Sequence, residues 1–412
     1  MKIRMTPIAL ALLACASSAG AGENLGDLFR NGKPILDLRY RYEHVDQDNA
    51  LNNANAQTIR TRVGFQSGKW YGLSGLIEAD NVSRIGDASY NSTRNGQGDY
   101  SVVADPDGSE INQALLRYDF ALGNAVAGRQ RINLDNQRFV GGVAWRQNEQ
   151  TYDGVLGQLK PIDGLTLTYA YIDNINTVFG PHDNRFDNRT NPANIDGHSH
   201  LLNAQYLFSP ALTVTAYSYL LGLDNIANAP AAPFGSLSSK TTGLRFTGAL
   251  SGVSYALEYA RQTDYADNPL ELSSEYYLAE LGYSLSSVAL KAGYEVLGGD
   301  EGPGNRAFQT PLATKHAFQG WADIFLTTPA DGIKDSYLSA SMPLLGGTVT
   351  GMYHDYRAEL GSSHYGDEIN ISYARPIPLL KGLTALAKYA RYDADDANVD
   401  TDKLWLQAQY SY

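Results

Sequence analysis

Apolar and polar residues alternate along much of the chain, in stretches of about ten residues. In one such stretch, Leu38, Tyr40 and Tyr42 fall on one side. Arg39 and Arg41 fall on the other side. The same alternation recurs at 59–65, 165–171, 253–259, 288–296 and 369–373. A period of two indicates β-strands with one apolar face, and no stretch beyond residue 21 approaches the ~18 apolar residues of a membrane-spanning helix.

Three features favour a transmembrane β-barrel over a soluble β-sandwich, which also alternates. Tyrosines often flank the apolar faces, as in the aromatic girdles of outer-membrane barrels. The opposite faces carry charges in the middle of strands, which a water-filled lumen tolerates. Short connections lie at 67–70, 121–124, 160–164, 209–211, 250–252, 284–287 and 343–347, and long ones at 81–108, 174–197 and 299–331. Short periplasmic turns and long outer loops are the asymmetry of such barrels.

The turns also set the number of strands. An odd number of alternating segments can be drawn, whereas single-chain bacterial barrels have an even number of strands. All the short turns fall at one end of the barrel only if Gly320–Leu326 belongs to an outer loop. The sequence therefore predicts an all-β fold, a single antiparallel barrel of about 18 strands, which encloses an aqueous channel unless loops plug it.

The first 21 residues predict a secretory signal peptide, which leaves residues 22–412 as the barrel domain. Two basic residues precede the short apolar core Ile8–Ala16, and Ala19–Ala21 matches an A-x-A cleavage pattern. Cleavage there removes Cys15, the only cysteine, so the mature chain has no disulfide framework. A lipoprotein cleaved before Cys15 is the alternative, although Leu13 is bulky where a small residue is usual.

The amino-acid composition agrees with many strands joined by turns, and the net charge argues against one class of binding partner. Charged residues make up 18% of the chain, below the roughly 25% of soluble proteins, and tyrosine and glycine number 28 and 40. Tyrosine suits strands and glycine suits turns. The formal net charge is -12, and the predicted signal peptide holds two of the positive charges. An acidic chain of this kind argues against nucleic acid as a partner.

The last segment of the chain, Lys403–Tyr412, continues the alternation to its final position. Leu404, Leu406 and Tyr412 share its apolar side. A terminal aromatic residue preceded by apolar residues at alternate positions resembles the signal that the outer-membrane assembly machinery reads. We therefore expect this strand, with Tyr412, to bind that machinery; the alternative is the edge strand of a soluble β-protein.

Four stretches resemble the alginate-export-type family of proteobacterial outer-membrane barrels: Arg60–Phe65, Ala127–Gly141, Trp145–Val155 and His316–Asp335. The last two are the more specific. The resemblance implies an 18-stranded monomeric barrel in the outer membrane of a Gram-negative bacterium, surrounded by lipid and lipopolysaccharide. The family's namesake passes the polyuronate alginate through an arginine-rich lumen with loop gates, whereas many shorter relatives are porins.

Arginines are the candidate pore lining. Inward positions of the early strands offer Arg39, Arg41, Arg60, Arg62, Arg117, Arg129 and Arg131. Guanidinium groups bind carboxylates bidentately, and a ring of cations selects anions in a pore. The sequence thus predicts a channel for small anionic or uronate-type solutes, or for polyuronate export. The alternative is a general porin in which these arginines pair across neighbouring strands with Asp37, Glu43, Glu78, Asp80 and Asp119. Glu258, Glu280, Glu295 and Glu368 also point inward, and this mixed lining departs from that of a channel dedicated to alginate.

Five further residues are candidates for constricting loops. Arg138 and Arg146 lie in a loop between the early strands. His316, Trp321 and Asp323 lie in the long loop after residue 299. That loop either folds into the lumen, with Trp321 against sugar faces, or closes over the barrel rim as a hydrophobic clasp.

Neither a metal or other cofactor nor catalysis is predicted. Tyr392–Asp402 contains five aspartates but lacks the glycine of an EF-hand turn, so we expect a solvated outer loop. An outer-membrane barrel enzyme is the rival function. His198, His200 and the pair His354–Asp355 are its candidates, but no nucleophile can be placed beside them. The two functions differ in one property, since a channel conducts ions and a filled enzyme barrel does not.

Overall fold

The computed structural model describes residues 24–87, 89–181 and 189–412, and within them the chain forms one closed antiparallel sheet of 18 strands. The predicted signal peptide and Cys15 lie outside the described residues. The strands are β1 (Lys33–Gln47), β2 (Ala54–Gln66), β3 (Leu73–Arg84), β4 (Gly108–Phe120), β5 (Gly123–Gln130), β6 (Thr151–Leu159), β7 (Leu165–Asn176), β8 (Asn194–Ser209), β9 (Leu212–Leu221), β10 (Ser239–Leu250), β11 (Val253–Asp264), β12 (Ser273–Leu285), β13 (Val288–Leu297), β14 (Ile333–Leu344), β15 (Gly347–Arg357), β16 (His364–Pro376), β17 (Leu383–Ala394) and β18 (Thr401–Ser411).

The sheet closes because β1 pairs with β18 as well as with β2. The β1–β18 register runs from Asp37 opposite Ser411 to Gln47 opposite Thr401. Closure satisfies the backbone of every strand and leaves no open edge in the lipid. The predicted fold class and strand number are confirmed, and Gly320–Leu326 lies in a loop as expected.

Alternation sends apolar side chains to the outside of the barrel. Outward residues with more than half, or close to half, of their surface exposed include Val63, Ile77, Leu116, Leu281, Leu338 and Ile369. A belt of exposed tyrosines joins them, including Tyr169, Tyr259, Tyr277, Tyr294 and Tyr353. An apolar band edged by aromatic rings is the surface that a barrel presents to a bilayer.

Short turns and long loops lie at opposite ends of the barrel. The turns span 2–6 residues, the longest being 67–72 and 377–382. The longest loops of the other end are 85–107, 131–150, 177–193, 222–238 and 298–332, and residues 182–188 of one of them lie outside the described part. Two short helical segments complete the fold, α1 (Asp27–Arg30) and the 3-10 turn Lys315–Ala317. Neither these nor any other helix in the described residues is long and apolar enough to cross a membrane.

Two loops fold inward and meet inside the barrel. We call 131–150 the first inward loop and 298–332 the second. They are joined by a short parallel bridge between Val140 and Leu312, and the Gly141 amide donates to the Leu312 carbonyl at 2.9 Å. Phe139 and Phe308 pack together and against tyrosines of the β-wall. The hydrophobic core of this protein therefore lies in the lumen, between the loops and the wall.

Candidate functional site in the lumen

Four arginines form a ladder on the inner wall at β1 and β2. Arg39 lies directly opposite Arg60 in the β1–β2 register, and Asp37 lies opposite Arg62. Arg41 is one inward position further along β1. Alternate residues of adjacent antiparallel strands face the same side, so the period of two brings these side chains together.

The ladder holds the first inward loop by its backbone. Arg39 Nη1 donates to the carbonyl oxygens of residues 144–146 at 3.1–3.3 Å. Arg41 Nη2 donates to the same segment at 2.7 Å, and Arg60 Nη1 to the Gln147 carbonyl at 3.4 Å. Hydrogen bonds from charged donors are about twice as strong as neutral ones, so the ladder fixes this loop firmly to the wall.

Carboxylates neutralise two arginines of the ladder, Arg60 and Arg62. Arg60 forms an ion pair with Asp37. Arg62 binds Asp80 bidentately, with N–O distances of 2.6 and 2.7 Å, and reaches Glu149 of the first inward loop at 3.1 Å. These contacts match the alternative in which arginines pair with acids across neighbouring strands.

Arg39 and Arg41 are less closely paired with carboxylates than Arg60 and Arg62 are. Among the described residues, no carboxylate lies within 4.0 Å of Arg39, whose Nε donates to Gln409 at 3.0 Å. Arg41 donates to Gln407 at 2.7 Å, and its nearest carboxylate is Asp105 at 3.9 Å. Glutamine and carbonyl dipoles stabilise a guanidinium without removing its net charge.

Arg131 and Arg117 also point into the barrel, at different heights. Arg131 lies one residue beyond the end of β5, in the first inward loop rather than on a strand, and forms ion pairs with Glu78 at 2.5 Å and with Glu149. Arg117 lies near the periplasmic turns, where it pairs with Asp119 at 2.7 Å. The expected arginine group is therefore spread along the lumen instead of forming one ring.

Arg129 lies on the outside of the barrel, contrary to the expectation that it lines the pore. It shares its strand face with Ala127, which pairs with the strongly exposed Leu116. Its guanidinium binds Asp153 on the same outer face at 2.7 and 3.0 Å. The physical reason is that β5, GNAVAGRQ, carries small residues on both faces, so its alternation does not reveal which side is apolar.

Arg138 and Arg146 lie in the first inward loop and anchor it to opposite walls. Arg138 donates to Glu295 of β13 at 2.7 Å and to Gln319 of the second inward loop at 3.0 Å. Arg146 donates to Glu43 of β1 at 2.6 Å. Both guanidinium groups are buried, so these pairs hold the loop across the lumen.

Trp145 is the centre of a junction between both loops and the wall. His316 of the second inward loop stacks on its ring, with centroids 4.3 Å apart and planes inclined by 6°. The Arg41 guanidinium lies 4.1 Å from the ring centre, and Lys388 Nζ lies 4.3 Å from it. Trp405 of β18 closes the cluster edge-on at 5.8 Å. Cations over an aromatic face gain about 0.5–2 kcal/mol each, most when they are desolvated.

His316 is held as a neutral ring. Its Nδ1 lies 2.7 Å from Asp323 Oδ1 and its Nε2 lies 2.7 Å from Lys388 Nζ, so one nitrogen donates and the other accepts. Burial lowers the pKa of His316 to about 3. For Asp323, burial opposes ionisation, but His316 and Lys403 hold the pKa of its carboxyl well below the usual range.

Glu368 fixes the second inward loop to β16. Its carboxylate accepts the backbone amides of Trp321 at 2.5 Å and Ala322 at 2.9 Å. Gly320 precedes them at φ +77°, and a Cβ there would overlap Glu368 and Tyr356. The loop therefore folds into the lumen and does not close over the rim as a clasp, and the Trp321 ring lies 3.8 Å from Lys388 Nζ.

Trp145, Lys388 and Lys315 take part in the lumen, but sequence reasoning did not select them. Lys388 is the one basic residue in the LTALAKYA part of β17, and alternation alone places it inward. Trp145 begins one of the family-like stretches, although its partners come from distant segments. Nothing in the local sequence distinguishes Lys315 from a solvated loop lysine.

The residues considered for catalysis do not assemble. His198 and His200 lie on the outer face, hydrogen-bonded to Tyr171 and Tyr169. His354 points inward and binds Asp335 at 2.9 Å, so His354–Asp355 is not a dyad.

Asp355 is on the outer face, where it meets His364 and Arg357. Asp355, His364 and Asp367 place possible ligand atoms within 4.8 Å of one another. However, the Arg357 guanidinium already occupies Asp355 at 2.8 Å. We therefore assign no metal to this group.

The family model described as alginate export matches residues 36–318, more than half of the chain. The chain belongs to the alginate export family. No curated protein matches it in sequence.

Solved structures of similar architecture support the same fold. OccAB4 of Acinetobacter baumannii has a TM-score of 0.71 at 14% identity, covering 92% of this chain and 98% of that one. OccK8 (OprE) of Pseudomonas aeruginosa has a TM-score of 0.70 at 15% identity, covering 93% and 98%. OpdO of the same organism has 0.69 at 17%, covering 95% and 99%. Family and barrel together make this protein an outer-membrane channel.

Proposed function

We propose that the channel carries small anionic solutes of the sugar-acid class by passive diffusion. The observation that carries the proposal is the charge of Arg39 on the inner wall, which has no carboxylate within 4.0 Å among the described residues, beside Arg41, whose nearest carboxylate, Asp105, is 3.9 Å away. Buried charge acts over a distance in a low-dielectric interior, so these groups attract anions without touching them.

Two of the acids on the opposite wall are neutralised by arginines. Glu258 is paired with Arg245, and Glu295 with Arg138. Glu368 accepts two backbone amides of the second inward loop. The neutral amides stabilise the Glu368 carboxylate but leave its negative charge, so the two arginine–glutamate pairs, and not Glu368, are what limit the acidic field of this wall.

The inward loops favour small solutes over polymers. Phe139, Phe308 and Leu312 fill the space between the loops and the wall and are almost fully buried. A flexible polymer chain needs a wide, continuous passage through the barrel. The two inward loops occupy part of that space. Export of a polyuronate is the second candidate, favoured by the description of the family.

Ion selectivity tests the proposal. In a planar bilayer with a KCl gradient, we expect the wild-type reversal potential to favour chloride, and we expect galacturonate to reduce the KCl current. Replacing Arg39→Gln and Arg41→Gln keeps hydrogen-bond donors but removes two charges, so selectivity should shift several-fold toward cations.

Arg129→Gln is the matched control, because it removes a positive charge from the outer face. Its selectivity should equal that of the wild type. A cation-selective wild type, or an Arg39→Gln/Arg41→Gln variant that stays as anion-selective as the wild type, contradicts the proposal. Block by long oligouronates without block by galacturonate supports the polymer channel instead.

We also propose the biological setting of the channel. Cleavage after residue 21 removes the signal peptide, and the mature monomer lies among outer-membrane lipid and lipopolysaccharide without enzymatic activity. The assembly machinery receives the chain through the last strand, including Tyr412. The pairing of β18 with β1 supports this role, because that strand completes the ring.

A further inference from the structure

Lys315 differs from the other cations named above because its ammonium has no polar partner among the described residues, whereas Arg39 and Lys388 have neutral ones. Arg60, Arg62, Arg131, Arg138, Arg146 and Arg245 all contact carboxylates. Among the described residues, Lys315 Nζ has neither a hydrogen bond nor a carboxylate within 4.0 Å. An ammonium left without an anionic partner inside a protein costs free energy that only water or a ligand offsets.

The backbone around Lys315 is held on both sides. The Thr314 amide donates to the Gln137 carbonyl of the first inward loop at 3.0 Å, and the Phe318 amide donates to the Lys315 carbonyl at 2.9 Å. The next residue, His316, is buried beneath Trp145. The two loops thus present the Lys315 side chain from a fixed platform.

The position of Lys315 indicates an internal, water-filled space. The residue is partly exposed to solvent, yet protein surrounds it closely enough that burial, followed by the nearby Arg138, lowers the pKa of Lys315 to about 8. Because Thr314 and His316 on either side of Lys315 contact the first inward loop, its partial exposure is to water at the junction of the two inward loops. Lys315 remains mostly protonated at neutral pH, because its pKa is above 7.

We propose that Lys315 is the residue that touches the anionic group of the solute as it passes the inward loops. This inference rests on the proposed function and deepens it. An ammonium offers three donors and a compact charge but no fork, so it binds a carboxylate less rigidly than an arginine does. A contact of that strength suits a channel, in which a solute must be attracted and then released.

Galacturonate block of the single-channel KCl current tests the inference. Lys315→Met keeps the length of the side chain and removes its charge, and we expect the half-blocking concentration to rise roughly tenfold. Lys315→Arg keeps the charge and should retain block within about twofold of the wild type. Lys240→Met is the matched control, since Lys240 is exposed on the outer face of β10.

The outcomes distinguish failure of the role given to Lys315 from failure of the proposed function. If Lys315→Met is blocked like the wild type while the wild type remains anion-selective, the inference is overturned and the proposed function stands. If Lys315→Arg loses block as fully as Lys315→Met, the effect comes from loop structure and the inference is likewise overturned. A wild type that favours cations and ignores galacturonate overturns both. Unchanged open-channel conductance in the variants confirms that the loops have kept their fold.

Discussion

At Arg39 and Arg41, the charge of the lumen and the position of a loop depend on the same side chains. Both guanidinium groups donate to carbonyls of residues 144–146. Carbonyl oxygens are neutral acceptors, so the arginines hold the loop and keep their charge. An arginine paired with a carboxylate, as Arg62 is with Asp80, stabilises the structure, but the carboxylate cancels its positive electrostatic field.

The pH dependence of selectivity follows from Lys315. Its pKa is lowered to about 8 by burial and by Arg138, so the ammonium is present below that pH and is lost as pH rises through it. We expect the anion preference of the wild type to fall between pH of about 7 and about 9, as measured by reversal potential. His316 contributes nothing in this range, because its pKa is about 3 and the ring is already neutral.

Lys315→Met is the control for this titration, and its selectivity should be flat over the same range. A wild-type profile equally flat would show that Lys315 does not border the conducting path. Arg138, the charged neighbour of Lys315, keeps its charge throughout because Glu295 binds it.

Among the structural elements, the strands can be predicted from local sequence, whereas the path of the inward loops cannot. Alternation at Leu38–Tyr42 and at 59–65 assigned the inner face correctly, because each apolar face meets lipid. It failed at Arg129, because the outer face of β5 carries only glycine and alanine beside that arginine, and the one larger apolar residue, Val126, points inward. The loop contacts join residues far apart in sequence, such as Arg138 and Glu295, 157 positions apart, and no periodic pattern encodes them.

Gly320→Ala should loosen the second inward loop. At φ +77° an added Cβ overlaps Glu368 and Tyr356, so the Trp321 and Ala322 amides can no longer reach the Glu368 carboxylate. We expect roughly 1–3 kcal/mol of lost loop stability, seen as larger and noisier single-channel currents.

Gly361→Ala provides the comparison for this substitution. Gly361 has a φ of +78° but open space around it, so this variant carries the backbone strain without the overlap. Currents that are equally noisy in both variants would assign the effect to strain alone and remove the role given to Glu368.

At the scale of the whole molecule, Trp145 links β1, β17, β18 and the second inward loop. Trp145→Ala removes the ring between Arg41 and His316 and leaves every charge in place. Truncating a packed tryptophan costs about 3–5 kcal/mol, which we expect to release the loops without unfolding the barrel. Single-channel conductance should therefore rise while the thermal unfolding temperature of the barrel changes little.

Trp70→Ala is the corresponding change outside the lumen, because Trp70 lies in the turn 67–72 and packs on Tyr71. Its conductance should match that of the wild type. A Trp145→Ala channel with wild-type conductance would mean that hydrogen bonds from the arginine ladder suffice to hold the loops.

The bridge between Val140 and Leu312 has a mechanical consequence. The loops that it joins leave the wall after β5 and after β13, eight strands apart in a ring of 18, which is close to a full diameter. Together the two loops connect opposite walls of the barrel. The barrel is therefore stiffer along the line that the loops join than at right angles to it. Lateral pressure from the bilayer should deform its cross-section unequally, and membrane tension should be transmitted to the two loops.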